Sequence, residues 1–205
     1  MAPIDERHGL LQYANMESTT TLAPGFLIAS PHMKDGFFER TVVLLAEHLP
    51  GQGAFGIVIN RPTPVGFAEV LSQMDITFDD ADLRHTSAPV LSGGPVDREF
   101  GWVIHSLDWH TDKTHRLGDL IGITASRRVL EDIAVNAGPQ HFIFCLGYAG
   151  WGPDQLMGEV HSGAWLSIPL ETDLVFHTDA ESRWQTAISR LGFDPFELSP
   201  SVGDA

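Results

Sequence analysis

The stretch Thr41-Val42-Val43-Leu44-Leu45-Ala46 is apolar or β-branched at every position. A strand with one wet face alternates polar and apolar residues; this one does not, so it must be covered on both faces. Pro50-Gly51-Gln52-Gly53 then breaks the run, and Phe55-Gly56-Ile57-Val58-Ile59 resumes it. Two such runs joined by a short glycine-containing link read as a β-hairpin. Antiparallel pairing puts Glu47 and His48 near the hairpin turn, and Arg40 and Arg61 near the opposite end.

Other segments follow the same logic. Phe26 to Ala29 reads as a short strand stopping before Pro31, and Asn60-Arg61-Pro62 ends the hairpin. Phe67, Val70, Leu71 and Met74 recur at helical spacing. Asp75 to His85 is an acidic surface loop. Pro89 to Leu91 and Gly101 to His105 are strands around Gly93-Gly94-Pro95. Ser126 opens a helix carrying Val129, Leu130 and Ile133, which Gly138-Pro139 stops. Phe142 to Leu146 is a strand, and Pro153 opens a short helix. Leu166 to Ile168 and Leu174 to Phe176 read as strands. Thr178 and Glu181 have the spacing of a capping box for a last helix burying Trp184, Ala187, Ile188 and Leu191. Strands and helices do not alternate strictly. The pattern predicts an α+β fold, a single compact domain with a mixed, mostly antiparallel sheet and three to four helices. Residues 1–21 read as a flexible extension and 22–203 as the domain.

Charge narrows the function classes. The chain carries 27 acidic and 12 basic residues among 205, a formal net charge of −15. Its longest basic run is Arg127-Arg128. Phosphate-backbone binding needs clustered cations, so direct nucleic-acid binding is disfavoured. No apolar run approaches a membrane span of about 18 residues. The N-terminal stretch lacks the apolar block of a secretory signal. With a single cysteine, Cys145, no internal disulfide is possible, and the expected location is the cytoplasm.

The stretch Cys145-Leu-Gly-Tyr-Ala-Gly-Trp-Gly-Pro-Asp154 suggests a phosphate cradle, a strand and a glycine-rich turn ahead of a helix. Its spacing, G-x-x-G-x-G, matches neither the dinucleotide fingerprint nor the phosphate loop. No Lys or Arg lies between Cys145 and Ala164, and Asp154 sits where a phosphate would go. Gly147, Tyr148, Gly150, Trp151 and Gly152 are therefore expected to form a structural strand-to-helix turn.

Ten histidines invite a metal reading, and His105, His110 and His115 recur every five residues. That spacing fits one face of neither a helix nor a strand, and no metal or other cofactor is expected. No G-x-S-x-G elbow is present, and Cys145 lies inside an apolar strand, where a thiol is inert. The polar residues left as a candidate functional surface are Asp35, Arg40, Glu47, His48, Asn60, Arg61 and His105. An Asp35–Arg40 pair would order a loop, and Arg61 would anchor a carboxylate. Glu47 and His48, with His105, could supply acid–base chemistry if a cleft is nearby.

Taken together, FLIASPHMKDGFFERTVVLLAEH, GAFGIVINRP, LSGGPVDREFGWVIH, LGYAGWGPDQL and AWLSIP, with RWQTAISRLGFD near the end, resemble the AlgH/YqgE family of bacterial single-domain proteins. The resemblance spans about residues 22 to 203. Ser92, Cys145, Met157 and Gly163 depart from its usual pattern. The resemblance implies a compact α+β fold and brings the label of transcriptional regulator, with no established reaction or cofactor. The resulting expectation is a regulatory protein acting through a protein partner or a small ligand. The alternatives are an unrecognised hydrolase using Glu47 and His48, and a direct DNA-binding regulator.

Overall fold

A computed structural model describes residues 21–78 and 88–192. The hairpin forms as expected. β1 (Gly25–Ala29) precedes β2 (Val42–Leu49), which pairs antiparallel with β3 (Gly53–Val58) from Val43↔Val58 to Leu49↔Gly53. Then come β4 (Pro62–Gly66), α1 (Phe67–Gln73), β5 (Pro89–Ser92), β6 (Val96–Ser106), β7 (His115–Leu117) and β8 (Ile121–Thr124). The chain continues with α2 (Arg127–Ala134), β9 (Phe142–Trp151), α3 (Gln155–His161), β10 (Trp165–Pro169), α4 (Thr172–Phe176) and α5 (Arg183–Ser189). Among the described residues the sheet has ten strands, ordered β10-β1-β2-β3-β9-β6-β8-β7, with β4 on β5 and β5 on β9. Of the pairings among the described residues, only β5–β9 is parallel. No described helix is long and apolar enough to cross a membrane.

The sheet curls, bringing His115 on β7 within 3.9 Å of Glu47 on β2. Curling explains the absence of alternation in β2. Val42, Leu44 and Ala46 join an inner core with Phe26, Ile57, Ile104 and Ile143, closed by Leu174, Val175, Trp184 and Ile188 of α4 and α5. Val43 and Leu45 point the other way, into a core with Trp151, Leu156 and Trp165 beneath α3. A third core lies under α1 and α2 and includes Phe67, Leu71, Val129, Leu130 and Phe144. Both faces of β2 are dry, and each fully buried Leu contributes about 2 kcal/mol.

The Gly93-Gly94 pair is explained by a backbone crossing. Gly93 N–H donates to Leu146 O at 2.7 Å, and Gly93 O accepts from Val58 N at 2.7 Å, so this residue stitches β3 to β9. A Cβ on Gly93 would lie 2.4 Å from Gly147 O, and one on Gly94 would lie 1.9 Å from the Tyr148 carbonyl. Gly147 itself has φ +77°. It faces the point where β6 slips register between Val96 and Gly101.

Three local expectations are corrected. Gly147, Tyr148, Gly150 and Trp151 do not form a turn; they continue β9, where Ala149 to Trp151 pair with β3, and only Gly152 lies past its end. The corner comes later, at Asp154, with φ 58°. Leu174 to Phe176 belong to a helix rather than a strand, so the described residues hold five helices. There is no capping box: Thr178 Oγ1 donates to Asp173 O at 3.0 Å, and α5 starts after Ser182. In both places the Arg183 guanidinium binds the turn between α4 and α5, at the carbonyls of Val175 and Thr178. Ser126 does precede α2, but without a side-chain capping bond. Most of the acidic loop expected at Asp75 to His85 lies outside the described residues; within it, Ile76 is buried.

Glu159 latches α3 to the sheet. Its Oε2 accepts the indole N–H groups of Trp151 at 2.9 Å and Trp165 at 2.7 Å, and its Oε1 accepts Gln155 Nε2 at 2.8 Å. The aromatic residues of the glycine-rich stretch thus have a packing role. Phe38 packs on the same pair, tilted against Trp151 with centroids 6.4 Å apart and edge-on to Trp165 at 5.6 Å.

Candidate ligand-binding cleft

The far end of the hairpin carries an open cleft of about 430 Å³, lined by Gly36, Glu39, Arg40, Asn60, Arg61 and Glu181. Asn60 builds its floor. Its Oδ1 accepts Val42 N–H at 2.7 Å, and its Nδ2 donates to Arg40 O at 2.9 Å, tying the start of β2 to the end of β3. That second bond helps hold Arg40 at φ 54°. A left-handed backbone costs a non-glycine residue about 1 kcal/mol or more, and such residues cluster at ligand sites. Asp35 shapes the approaching loop: its Oδ1 accepts the N–H groups of Phe37 at 3.0 Å and Phe38 at 3.3 Å.

Both guanidinium groups lie over aromatic rings. Arg61 Cζ is 5.5 Å from the Phe37 centroid, and Arg40 Cζ is 5.6 Å from that of Trp184. A ring this close to a guanidinium attracts its positive charge and helps to hold the side chain in place. Arg61 Nη2 also donates to Glu39 O at 2.8 Å. Arg61 therefore anchors on a main-chain carbonyl rather than on a carboxylate, and Asp35 caps a turn rather than pairing with Arg40.

The other expected site residues lie elsewhere. Glu47 and His48 are at the hairpin turn, opposite the cleft. Glu47 faces His115 across the curled sheet, half exposed. His48 is buried, its Nδ1 accepts Leu22 N–H at 3.2 Å, and its main-chain carbonyl accepts Thr21 Oγ1 at 3.2 Å. His105 is 0% exposed. Its Nδ1–H donates to Ser106 O at 2.9 Å, because a carbonyl can only accept, so Nε2 accepts from Thr124 Oγ1 at 2.9 Å. Thr114 Oγ1 bonds Thr124 in turn at 2.9 Å. None of Glu47, His48 and His105 lines the cleft, and the His105 side chain is closed off from solvent. Among the described residues no three His, Cys, Asp or Glu side chains form a metal-binding group. Cys145 is fully buried, and burial pushes its thiol up to about 12.

Burial lowers both His48 and His105 below the ordinary histidine value. The unfolded chain then takes up protons near pH 6.5 that the folded chain refuses. Their contribution is complete above that pH and is lost as pH falls towards the folded values. Urea midpoints are expected to drop between pH 7 and pH 5, and His105→Gln should flatten the decline. An unchanged slope in the variant would show that His105 does not carry it.

The sequence pointed to Arg40, Asn60 and Arg61 but not to Glu39, Phe37, Trp184 or Glu181. Glu39 precedes Arg40 directly, and Phe37 follows Asp35 by two residues. Glu181 and Trp184 arrive from the distant α5 region and leave no local signal.

Fold and cleft together define a single-domain α+β protein with a curled sheet and a ligand-sized opening beside its central hairpin. The chain belongs to the AlgH-like family, DUF179, whose model matches residues 26–196. A UPF0301 protein from Shewanella loihica is 45% identical over 179 residues, covering 87% of this chain and 96% of the relative. Another, from Stenotrophomonas maltophilia, is 42% identical over 184 residues, covering 90% and 96%. The solution structure of AlgH from Pseudomonas aeruginosa superposes with a TM-score of 0.72 at 38% identity, covering 94% of this chain and all of that one. A crystal structure from Corynebacterium diphtheriae shares the fold, with a TM-score of 0.66 at 20% identity over 85% of this chain and 90% of that one.

Proposed function

We propose that this chain is a cytoplasmic regulatory protein that works by binding a partner or small ligand at the Arg40–Asn60–Arg61 cleft. The observation that carries the reading is the pair of guanidinium groups held over aromatic rings beside a bracketing asparagine, with Arg40 in a left-handed backbone conformation. Arginine held in this way is suited to bidentate recognition of a carboxylate or phosphate. The family label of transcriptional regulator fits an indirect role better than direct DNA contact, because the net charge of −15 repels the DNA backbone.

A thermal-shift screen of metabolites and short peptides tests the reading with two variants. Arg61→Ala is expected to weaken every genuine hit by tenfold or more, about 1.4 kcal/mol. Glu47→Ala, at the opposite end of the hairpin, is expected to leave them unchanged. Hits that survive Arg61→Ala and vanish in Glu47→Ala would move the site to the turn. DNA binding in a gel shift that strengthens steeply as salt falls would favour the direct regulator instead.

A further inference from the structure

Four formal charges line the cleft: Arg40 and Arg61 are positive, Glu39 and Glu181 negative. Among the described residues none of these four groups makes an ion pair. Other arginines in the same chain do find carboxylates: Arg127 holds Glu131 at 2.7 Å, Arg128 holds Asp132 at 2.9 Å, and Arg190 holds both Glu171 at 2.5 Å and Asp173 at 2.7 Å. In the cleft, the guanidinium groups sit over the Trp184 and Phe37 rings instead, and Arg61 is directed to Glu39 O rather than to the Glu39 carboxylate. The cleft thus holds both signs of charge apart across an opening of about 430 Å³, within the usual size for a small-molecule site.

Resting on the cleft reading above, we infer that the ligand is a zwitterion of the amino-acid or short-peptide class, its carboxylate on Arg40 and Arg61 and its ammonium beside Glu39 and Glu181. Because the four charges sum to zero, a polyanion such as a nucleotide would gain two cations and face two carboxylates on a strongly acidic protein. A ligand of both signs meets a complementary group at each end. Gly36 leaves space on the loop side, since a Cβ there would meet nothing within 4 Å.

The test is calorimetric titration of the full chain with four probes: pooled free dipeptides, the same dipeptides N-acetylated, the same dipeptides as C-terminal amides, and inorganic phosphate. Free dipeptides are expected to bind at least tenfold more tightly than either capped form. Arg61→Ala should abolish the advantage of the free carboxylate, and Glu181→Gln the advantage of the free ammonium. Phosphate or acetylated dipeptide binding as tightly as free dipeptide, and still lost in Arg61→Ala, would overturn the zwitterion while leaving the cleft in place. Free dipeptides bound equally by wild type and Arg61→Ala would overturn the cleft itself. Failure of every free dipeptide to bind would overturn the zwitterion assignment.

Discussion

Gly94→Ala is expected to remove the folded state. The new Cβ would sit 1.9 Å from both carbon and oxygen of the Tyr148 carbonyl and 2.5 Å from Ala149 N. These are backbone atoms of the central strand β9, held between β3 and β6, so they cannot swing aside as a side chain would. Relief requires parting the loop from β9, which breaks the stitch that neighbouring Gly93 makes to Leu146 and Val58. The expected loss exceeds about 4 kcal/mol, a large part of the stability of an ordinary domain. Circular dichroism and solubility report it. Gly158→Ala is the control: it lies in α3, its Cβ would meet nothing within 4 Å, and it should stabilise by about 0.5–1 kcal/mol. A folded Gly94→Ala protein with wild-type urea midpoint would refute the crossing.

Arg183→Ala has the second largest expected effect. Arg183 is 4% exposed and lies at the inner core. Its Nη1 donates to Ile59 O, and its Nη2 donates to Val175 O at 2.9 Å and Thr178 O at 2.6 Å. Burial pulls its pKa down to about 10, so it stays charged at neutral pH while held by carbonyl dipoles rather than by a carboxylate. Alanine leaves three carbonyls from β3's end, α4 and the following turn without this donor, at about 1–3 kcal/mol for each one that water cannot reach. Partial wetting limits the sum to about 3–5 kcal/mol. Because the Ile59 carbonyl directly precedes Asn60 and Arg61, the variant should also loosen the cleft. Urea unfolding measures the first effect, and Arg183→Lys, which keeps the charge without the fork, should recover only part of it. A loss below about 1 kcal/mol in Arg183→Ala would mean that water already serves these carbonyls.

What could be read from the sequence follows from how local each cause is. The β2–β3 hairpin announced itself through continuous apolar runs, and its pairing correctly separated Arg40 and Arg61 from Glu47 and His48. α1 and α2 were visible in their spacing, because periodicity is a property of one segment. β4 was hidden by Pro62 and Pro64, and β8 by its brevity. β9 looked as if it ended at Gly147, since glycines usually punctuate strands; here they admit another backbone against the sheet. α4 read as a strand because Leu174, Val175 and Phe176 are apolar in succession, and five residues are too few for a helical period to show. For the cleft, the residues of the hairpin end were legible. The opposing Glu181 and the Trp184 ring beneath Arg40 come from sequence-distant α5 and its approach, and only the fold brings them together.

The most direct test of the binding cleft is a map of amide chemical shifts as a bound hit from the ligand screen is titrated into isotope-labelled protein. The largest changes are expected on Gly36, Glu39, Arg40, Asn60, Arg61 and Glu181, and they are expected to disappear in Arg61→Ala. Changes centred instead on Glu47, His48 and the hairpin turn, with the signals of Arg40 and Arg61 unmoved, would contradict the cleft.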